Sequence, residues 1–239
     1  QIVAQYMEPG GLVWFGTLRS GLIRWDKTRR TVEKPFACPS VNADVPCKNP
    51  RIVGQDSLGN YWVTSGSSLY KLDSKFKIIA SLRPFGTGDI RATIVKDNEL
   101  WVSSWEHPYL CKLQDEKRGS FDCLINMIGN EDFYSSIVKM SEGPEGRIWL
   151  GINQEGFHIF DEKSNAIKHY FPEFGVREFL FDDMGQVWLA THSAGLKLFN
   201  EADSAIVSLS PAVSEQLGIV SGLQSDRNGL LWMKTPSGI

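Results

Sequence analysis

Long apolar runs are missing from this chain. No stretch of its 239 residues approaches the roughly 18–20 apolar residues that a membrane-crossing helix needs. Blocks of like charge are missing too. The 25 Lys/Arg and 28 Asp/Glu are mixed along the sequence and nearly cancel, at a net −3. Such a balance gives no stripe of one sign for nucleic acid or an anionic membrane. Histidine is scarce. His107, His158, His169 and His192 fall at no close metal-binding spacing, which argues against a zinc centre. There is no Gly-x-Ser-x-Gly elbow to raise a nucleophilic serine. Phe85-Gly-Thr-Gly88 lacks the Lys-Ser/Thr of a P-loop, and no helix is expected after it, so a phosphate cradle is excluded there. Neither an initiator Met nor a signal peptide precedes Gln1. The chain is therefore expected to be processed, or cut from something longer.

Cysteine is sparse, but even in number. Cys38 and Cys47 bracket a Pro/Asn/Asp loop, and Cys111 and Cys123 lie on two runs joined by a polar turn. That arrangement suits one or two disulfides in an oxidising compartment; four reduced, half-buried thiols are the competing reading. Neither pair has Cys-x-x-Cys spacing.

What the chain does have is repetition. Trp14, Trp62, Trp101, Trp149, Trp188 and Trp232 recur at intervals of 48, 39, 48, 39 and 44 residues. Asp56-Ser-Leu-Gly59-Asn-Tyr-Trp62 is repeated as Asp182-Asp-Met-Gly185-Gln-Val-Trp188 and Asp226-Arg-Asn-Gly229-Leu-Leu-Trp232. A period of about 40–50 residues built from strands and tight turns predicts a propeller or array. Each unit reads as four short strands. Period-two alternation, β-branched and aromatic enrichment and Gly/Asp/Asn punctuation support them. Asp-x-x-Gly suits a tight turn, Asp bonding backbone amides and Gly supplying a positive φ.

The expected fold is all-β: a β-propeller of four-stranded blades, with five complete repeats and a partial sixth. The repeats span about 1–36, 50–82, 89–125, 134–171, 175–210 and 219–239 of a single domain. Stopping inside a blade leaves an open edge, so the chain is expected to be a fragment of a larger propeller. One helical turn is expected near Ser214–Leu217. The recurring tryptophans are expected to pack blade on blade, each N–H on a backbone acceptor.

Aligning the repeats on Trp brings out a second pattern. Arg51 and Arg177 stand 11 residues before their Trp, and Arg91 stands 10 before its own. Other repeats have Val3, Val138 and Ser221 there. In a propeller the first strand is innermost, so its leading end faces the channel mouth. The loops after the second strand open on the same face. They include Leu18-Arg19, Trp105-Glu-His-Pro108, Asn153-Gln-Glu155 and His192-Ser193. The candidate ligand-binding residues are therefore Arg51, Arg91, Arg177, Trp105, Glu106, His107, Gln154 and His192. Arginine makes forked bonds to carboxylate or phosphate, and tryptophan stacks on a sugar face. The competing reading makes each Arg a solvated strand end. His158 and His169 fall on outer strands and read as structural. The run Asp115-Glu-Lys-Arg118 reads as a solvated hairpin tip. Glu106, His107 and His192 are the one set that could do acid/base work. No metal ligand, cofactor or catalytic residue is otherwise expected.

The repeat as a whole resembles the two-component regulator propeller family. Asp182-Asp-Met-Gly-Gln-Val-Trp-Leu-Ala-Thr-His-Ser-Ala-Gly-Leu-Lys-Leu-Phe-Asn200 carries the likeness most fully. Gly11–Thr17 with Gly21–Asp26, and Gly146–Gly151 with Gly156–Asp161, are close copies; Lys96-Asp-Asn-Glu-Leu-Trp101 departs by losing the glycine. The resemblance implies tandem seven-bladed propellers in the periplasmic sensor portion of hybrid two-component systems of Bacteroidetes-like bacteria. An immunoglobulin-like domain, a membrane span and a histidine kinase would follow, and the usual signal is a glycan fragment. No kinase motif lies in these residues, so no enzyme activity is expected of this region. The expected partners are a small polar ligand such as an oligosaccharide and the downstream domains of the same protein. A homodimer is compatible with that reading; nucleic acid and direct membrane insertion of this region are not expected. Two alternatives come from similar propellers: a lyase or hydrolase resembling virginiamycin B lyase, and a structural interaction module of a secretion complex.

Overall fold

Each Asp-x-x-Gly segment in this computed structural model is a closed turn between two antiparallel strands, and the blades are built from it. The structure describes residues 2–8, 10–18, 20–35, 47, 49–105, 109–124, 136–171, 173–209, 217–226, 229–236 and 238. In the fifth repeat Asp182 Oδ1 accepts the amides of Met184 at 3.0 Å and Gln186 at 2.8 Å. The glycines of three such turns, Gly59, Gly185 and Gly229, hold φ of 78°, 76° and 77°, the left-handed region that a Cβ disfavours.

Five four-stranded antiparallel sheets and one two-stranded sheet result, each in simple sequential order, and the architecture is a β-propeller. The first blade holds β1 (Ile2–Met7), β2 (Leu12–Thr17), β3 (Gly21–Asp26) and β4 (Thr31–Glu33). The second holds β5 (Arg51–Gln55), β6 (Tyr61–Ser65), β7 (Ser68–Leu72) and β8 (Ile78–Leu82). The third holds β9 (Ile90–Lys96), β10 (Glu99–Ser104), β11 (Leu110–Asp115) and β12 (Ser120–Leu124). The fourth holds β13 (Ile137–Glu142), β14 (Ile148–Ile152), β15 (Gly156–Asp161) and β16 (Ala166–Tyr170). The fifth holds β17 (Val176–Phe181), β18 (Val187–Thr191), β19 (Leu196–Asn200) and β20 (Ala205–Ser208); β21 (Gly222–Ser225) pairs with β22 (Leu231–Lys234). A 3₁₀ turn at Pro144–Gly146 replaces the Asp-x-x-Gly turn in the fourth blade. The helical turn expected over 214–217 lies, but for Leu217, outside the described residues.

The described residues fall into two units: those of Gln1–Trp105 with Leu110–Leu124, and those of Glu106–Tyr109 with Ile125–Ile239. In the first, Trp14 is buried against Tyr61 and Phe76 of the next blade, ring centroids 5.3 and 5.2 Å away. In the second, Trp149 meets Phe181 of the next blade at 4.9 Å and Phe157 of its own at 5.1 Å. Large aromatic area is thus removed from water at a blade junction in each unit, a major favourable contribution in a fold of short strands. Second and third strands are the most buried; fourth strands such as β4 face water.

Trp14 and Trp149 do pack blade on blade and Trp188 packs on the Ala190–Leu196–Val220 cluster, whereas Trp232 is exposed; where an indole acceptor is seen, it is a carboxylate and not the expected backbone oxygen. Trp188 Nε1 donates to Asp182 Oδ2 at 2.9 Å, Trp232 Nε1 to Asp226 Oδ2 at 3.0 Å, and Trp14 Nε1 to Glu8 Oε1 at 2.5 Å. At Asp182 and Asp226 one carboxylate oxygen closes the turn while the other receives the indole; Glu8 Oε1 receives both the Trp14 indole and the Tyr61 hydroxyl. The fourth blade has Gly143 at this position. A Cβ there would meet Trp149 Nε1 at 2.3 Å, so the ring fills the space of the missing side chain, and its N–H has no partner.

Ion pairs add links between neighbouring blades. Arg147 forks onto Glu201, Nη2 to Oε2 at 2.8 Å, and Lys139 Nζ reaches Glu178 Oε1 at 2.8 Å. Lys71 Nζ lies 2.6 Å from Glu116, so the Asp115–Arg118 tip is anchored to the second blade rather than merely solvated. Cys111 and Cys123 face each other across β11 and β12 and are joined by a disulfide. Cys47 is likewise disulfide-bonded, while Cys38 lies outside the described residues.

Candidate functional site

A bulge repeats at the head of the first strands. Val176 pairs with Thr191 and Glu178 with Ala190, which leaves Arg177 as the extra residue. Val138 takes the same place in β13, and in β9 Arg91 and Ala92 together oppose Ser103. In β5 the slip comes after Ile52, and Arg51 stays paired with Thr64. A bulge breaks the in–out alternation and re-aims the side chain that it carries. The loop after the second strand lies beside this head: the His192 amide donates to Gly175 O at 2.8 Å, and the Trp105 amide to Asp89 O at 3.0 Å.

The second unit holds the more ordered group. Arg177 Nη2 lies 2.9 Å from His192 Nδ1, and His192 Nε2 is hydrogen-bonded to Asn153 Oδ1. Guanidinium only donates, so Nδ1 must carry a lone pair. The ring is therefore the neutral Nε2–H tautomer, and that N–H donates to Asn153. Burial first, and then the Arg177 charge, lower the His192 pKa and keep the ring neutral. Asn153 is held in turn by its amide, which donates to Ser136 O at 3.0 Å. Gly175 has no Cβ where the Asn153 carbonyl lies against it; an added one would be 1.7 Å from that oxygen. Arg177 Nε is buried without a partner.

The first unit has a simpler corner. The Arg91 guanidinium lies over the half-exposed Trp105 ring, 4.1 Å from its centroid. Arg91 Nε is buried and unpartnered. Burial, and then the charge of Arg51, lower the Arg91 pKa. Among the described residues no carboxylate pairs with Arg51, Arg91 or Arg177. The buried Nε atoms of Arg91 and Arg177 and the Arg91–Trp105 stacking do not fit solvated strand ends, whereas Arg51 is exposed, as that reading expects.

Of the sequence-derived candidates, the structure brings Arg51, Arg91 and Trp105 together in one unit, and Arg177 and His192 in the other. Gln154 is exposed and makes no hydrogen bond to a described residue; its neighbour Asn153 is the engaged amide. Glu106 and His107 lie outside the described residues. A cavity of about 220 Å³ lined by Leu12, Arg24, Asp26, Arg29 and Glu33 lies elsewhere, on the first blade. Its charges pair with carboxylates, Arg24 with Glu33 and Glu8 and Arg29 with Asp26, although Arg24 Nε, like those of Arg91 and Arg177, is buried without a hydrogen bond among the described residues. His158 is buried, its Nε2 is 3.1 Å from Glu155 O, and it packs on His169 across β15 and β16. Among the described residues, no three or more His, Cys, Asp or Glu cluster as metal ligands.

No protein family matches this sequence, and no curated protein does. Solved structures do match. The extracellular domain of a proposed hybrid two component system from B. thetaiotaomicron superposes with a TM-score of 0.70 at 18% identity, over 98% of this chain and 32% of that one. Virginiamycin B lyase from Staphylococcus aureus gives 0.72 at 12% identity, over 99% and 81%. PorZ, an essential surface component of the type-IX secretion system of Porphyromonas gingivalis, gives 0.70 at 16% identity, over 98% and 37%. At such identities the likeness is one of fold. The chain spans about a third of the length of the first sensor structures that it matches. Those neighbours are extracellular domains. Among the described residues, no helix is long and apolar enough to cross a membrane.

Proposed function

We propose that this region is a periplasmic ligand-sensing propeller of a two-component signalling system, and that it binds a small polar ligand such as an oligosaccharide rather than transforming one. The observation that carries the reading is the Arg177–His192–Asn153 cluster, whose partly buried guanidinium pairs with no carboxylate among the described residues. An unpaired polar group of this kind costs about 1–3 kcal/mol, and a ligand acceptor at its accessible edge would offset part of that. Arg91 stacked on the half-exposed Trp105 offers a second polar surface with an aromatic face for a sugar ring. The likeness to extracellular sensor domains supports the setting. Binding would act on downstream domains of the same protein, with a homodimer as one form in which it could do so.

The lyase reading draws on the likeness to virginiamycin B lyase. His192 weakens it. One ring nitrogen accepts from Arg177 and the other donates to Asn153, which leaves no free lone pair to take a proton from a substrate. The secretion-module reading draws on the PorZ likeness alone.

Thermal shift against an oligosaccharide panel tests the proposal. A sugar-dependent rise in Tm is expected, and it should vanish in the Arg51→Ala/Arg91→Ala/Arg177→Ala variant. Equal shifts in both proteins would remove these corners from the binding reading. Turnover of a panel member that survives the triple substitution would favour the enzyme.

A further inference from the structure

We infer that the group of the ligand recognised at the Arg177–Asn153 cluster is an oxyanion, a carboxylate or sulfate ester borne by a saccharide. This rests on the binding reading above and narrows it to acidic ligands. The argument is a count of donors and acceptors.

Three polar side chains make the cluster, and their internal bonds consume the ring acceptor and one of the two lone pairs of the amide oxygen. His192 Nδ1 is taken by Arg177, and Asn153 Oδ1 is taken by His192. Of the remaining polar atoms, Arg177 Nη1 and the Asn153 Nδ2 amide are donors. Arg177 Nε is buried, with no hydrogen-bond partner among the described residues, so the donors a ligand can meet are Nη1 and Nδ2. The nearest carboxylate in sequence, Glu178, is held by Lys139 at 2.8 Å. A sugar hydroxyl both donates and accepts, so a site built for it offers both. A cluster whose free donors outnumber its one spare lone pair, and whose positive charge meets no carboxylate among the described residues, matches a group that only accepts.

The local chain geometry keeps it so. The strand bulge frees Arg177 from the alternation of β17, Gly175 lets the Asn153 backbone approach, and the His192 amide is tied to Gly175 O at 2.8 Å. The donors are therefore set before any ligand arrives, which reduces the ordering cost of binding. The same imbalance recurs in the other unit. There Arg51 and Arg91 pair with no carboxylate among the described residues, and Arg91 Nε is again buried and bare.

The test is calorimetric titration of the full chain with four probes: an oligogalacturonide, its methyl ester, a sulfated galactan oligosaccharide and the uncharged galactan. Glucuronate and inorganic sulfate serve as small anions. The acidic saccharides should bind at least about tenfold more tightly than their uncharged counterparts, the gap expected of a charge-assisted pair. Preference between the uronate and the sulfate probes identifies which oxyanion is taken. Asn153→Asp keeps an acceptor for the His192 N–H and the same shape, yet adds a negative charge; it should abolish binding of the acidic probes. Arg177→Gln should do the same, and a retained cooperative melt shows that both variants fold. Equal affinity for neutral and acidic saccharides would overturn the oxyanion and leave the sensor reading standing. Binding of the small anions with no saccharide bound would uphold the oxyanion and sink the saccharide. No binding by any probe at millimolar concentration would overturn both.

Discussion

A Cβ placed on Gly175 would sit 1.7 Å from the carbonyl oxygen of Asn153. The two backbones touch where the fourth and fifth blades meet, and that contact sets where Asn153 can be. Gly175→Ala must therefore push the 153–155 loop outward or bend the start of β17. Overpacking of this kind costs about 1–3 kcal/mol. More specifically, the Asn153–His192 bond should break, since it depends on the loop position. A cooperative melt with lowered Tm, together with loss of any ligand-induced shift, is the expected pair of results. Full ligand response in Gly175→Ala would show that the loop position does not matter.

Asp182 serves two structures at once, so two substitutions should separate them. Asp182→Asn keeps one oxygen for the Met184 and Gln186 amides but turns an NH₂ toward the Trp188 N–H. Asp182→Ala removes both acceptors. The amide should cost about 1 kcal/mol and the alanine about 2–3 kcal/mol, by urea midpoint. Equal losses would mean that the indole bond contributes nothing.

The tryptophan period was legible because the repeats put a large packing residue at one strand position, and a blade junction in each unit is filled from it. Trp14 and Trp149 bury their rings against the next blade in the same manner. The arginine alignment was legible for the same reason: repeats share a frame. The bulge at Arg177 was not, because it is a property of the register between β17 and β18 and no residue type announces it. Local pattern does not distinguish the adjacent amides Asn153 and Gln154. Asn153 is the one bonded to His192, beside a Gly175 contact that lies across a blade junction. The indole acceptor was in plain view at a fixed spacing of six residues, as Glu8–Trp14 and Asp182–Trp188 show.

The Cys111–Cys123 disulfide closes a hairpin whose strands already pair, with a sequence separation of 12. Chain-entropy reasoning gives about 3 kcal/mol for a loop of that size. The Cys111→Ala/Cys123→Ala variant should lose up to that amount by urea denaturation, and its m-value should rise as the unfolded chain expands. An unchanged midpoint would mean that the hairpin holds itself.

His158 supplies a pH dependence whose sign can be worked out. Burial first, and then the neighbouring His169, push its pKa down from 6.5 to about 4, opposed by its contact with the Glu155 carbonyl. Above pH 6.5 the ring is neutral in both folded and unfolded chains, and its ionisation costs nothing. Between pH 6.5 and 4 the unfolded chain takes up a proton that the folded protein refuses, so the unfolded state gains. Stability should therefore fall as the pH drops through that window, by as much as about 3 kcal/mol. His158→Gln cannot titrate, and its stability should fall less over the same range. Urea midpoints at pH 7, 5.5 and 4.5 for both proteins isolate the difference from the carboxylates, which are common to the two. Parallel curves would show that His158 is protonated in the folded protein as readily as in the unfolded chain, and that the ring is not sealed between β15 and β16.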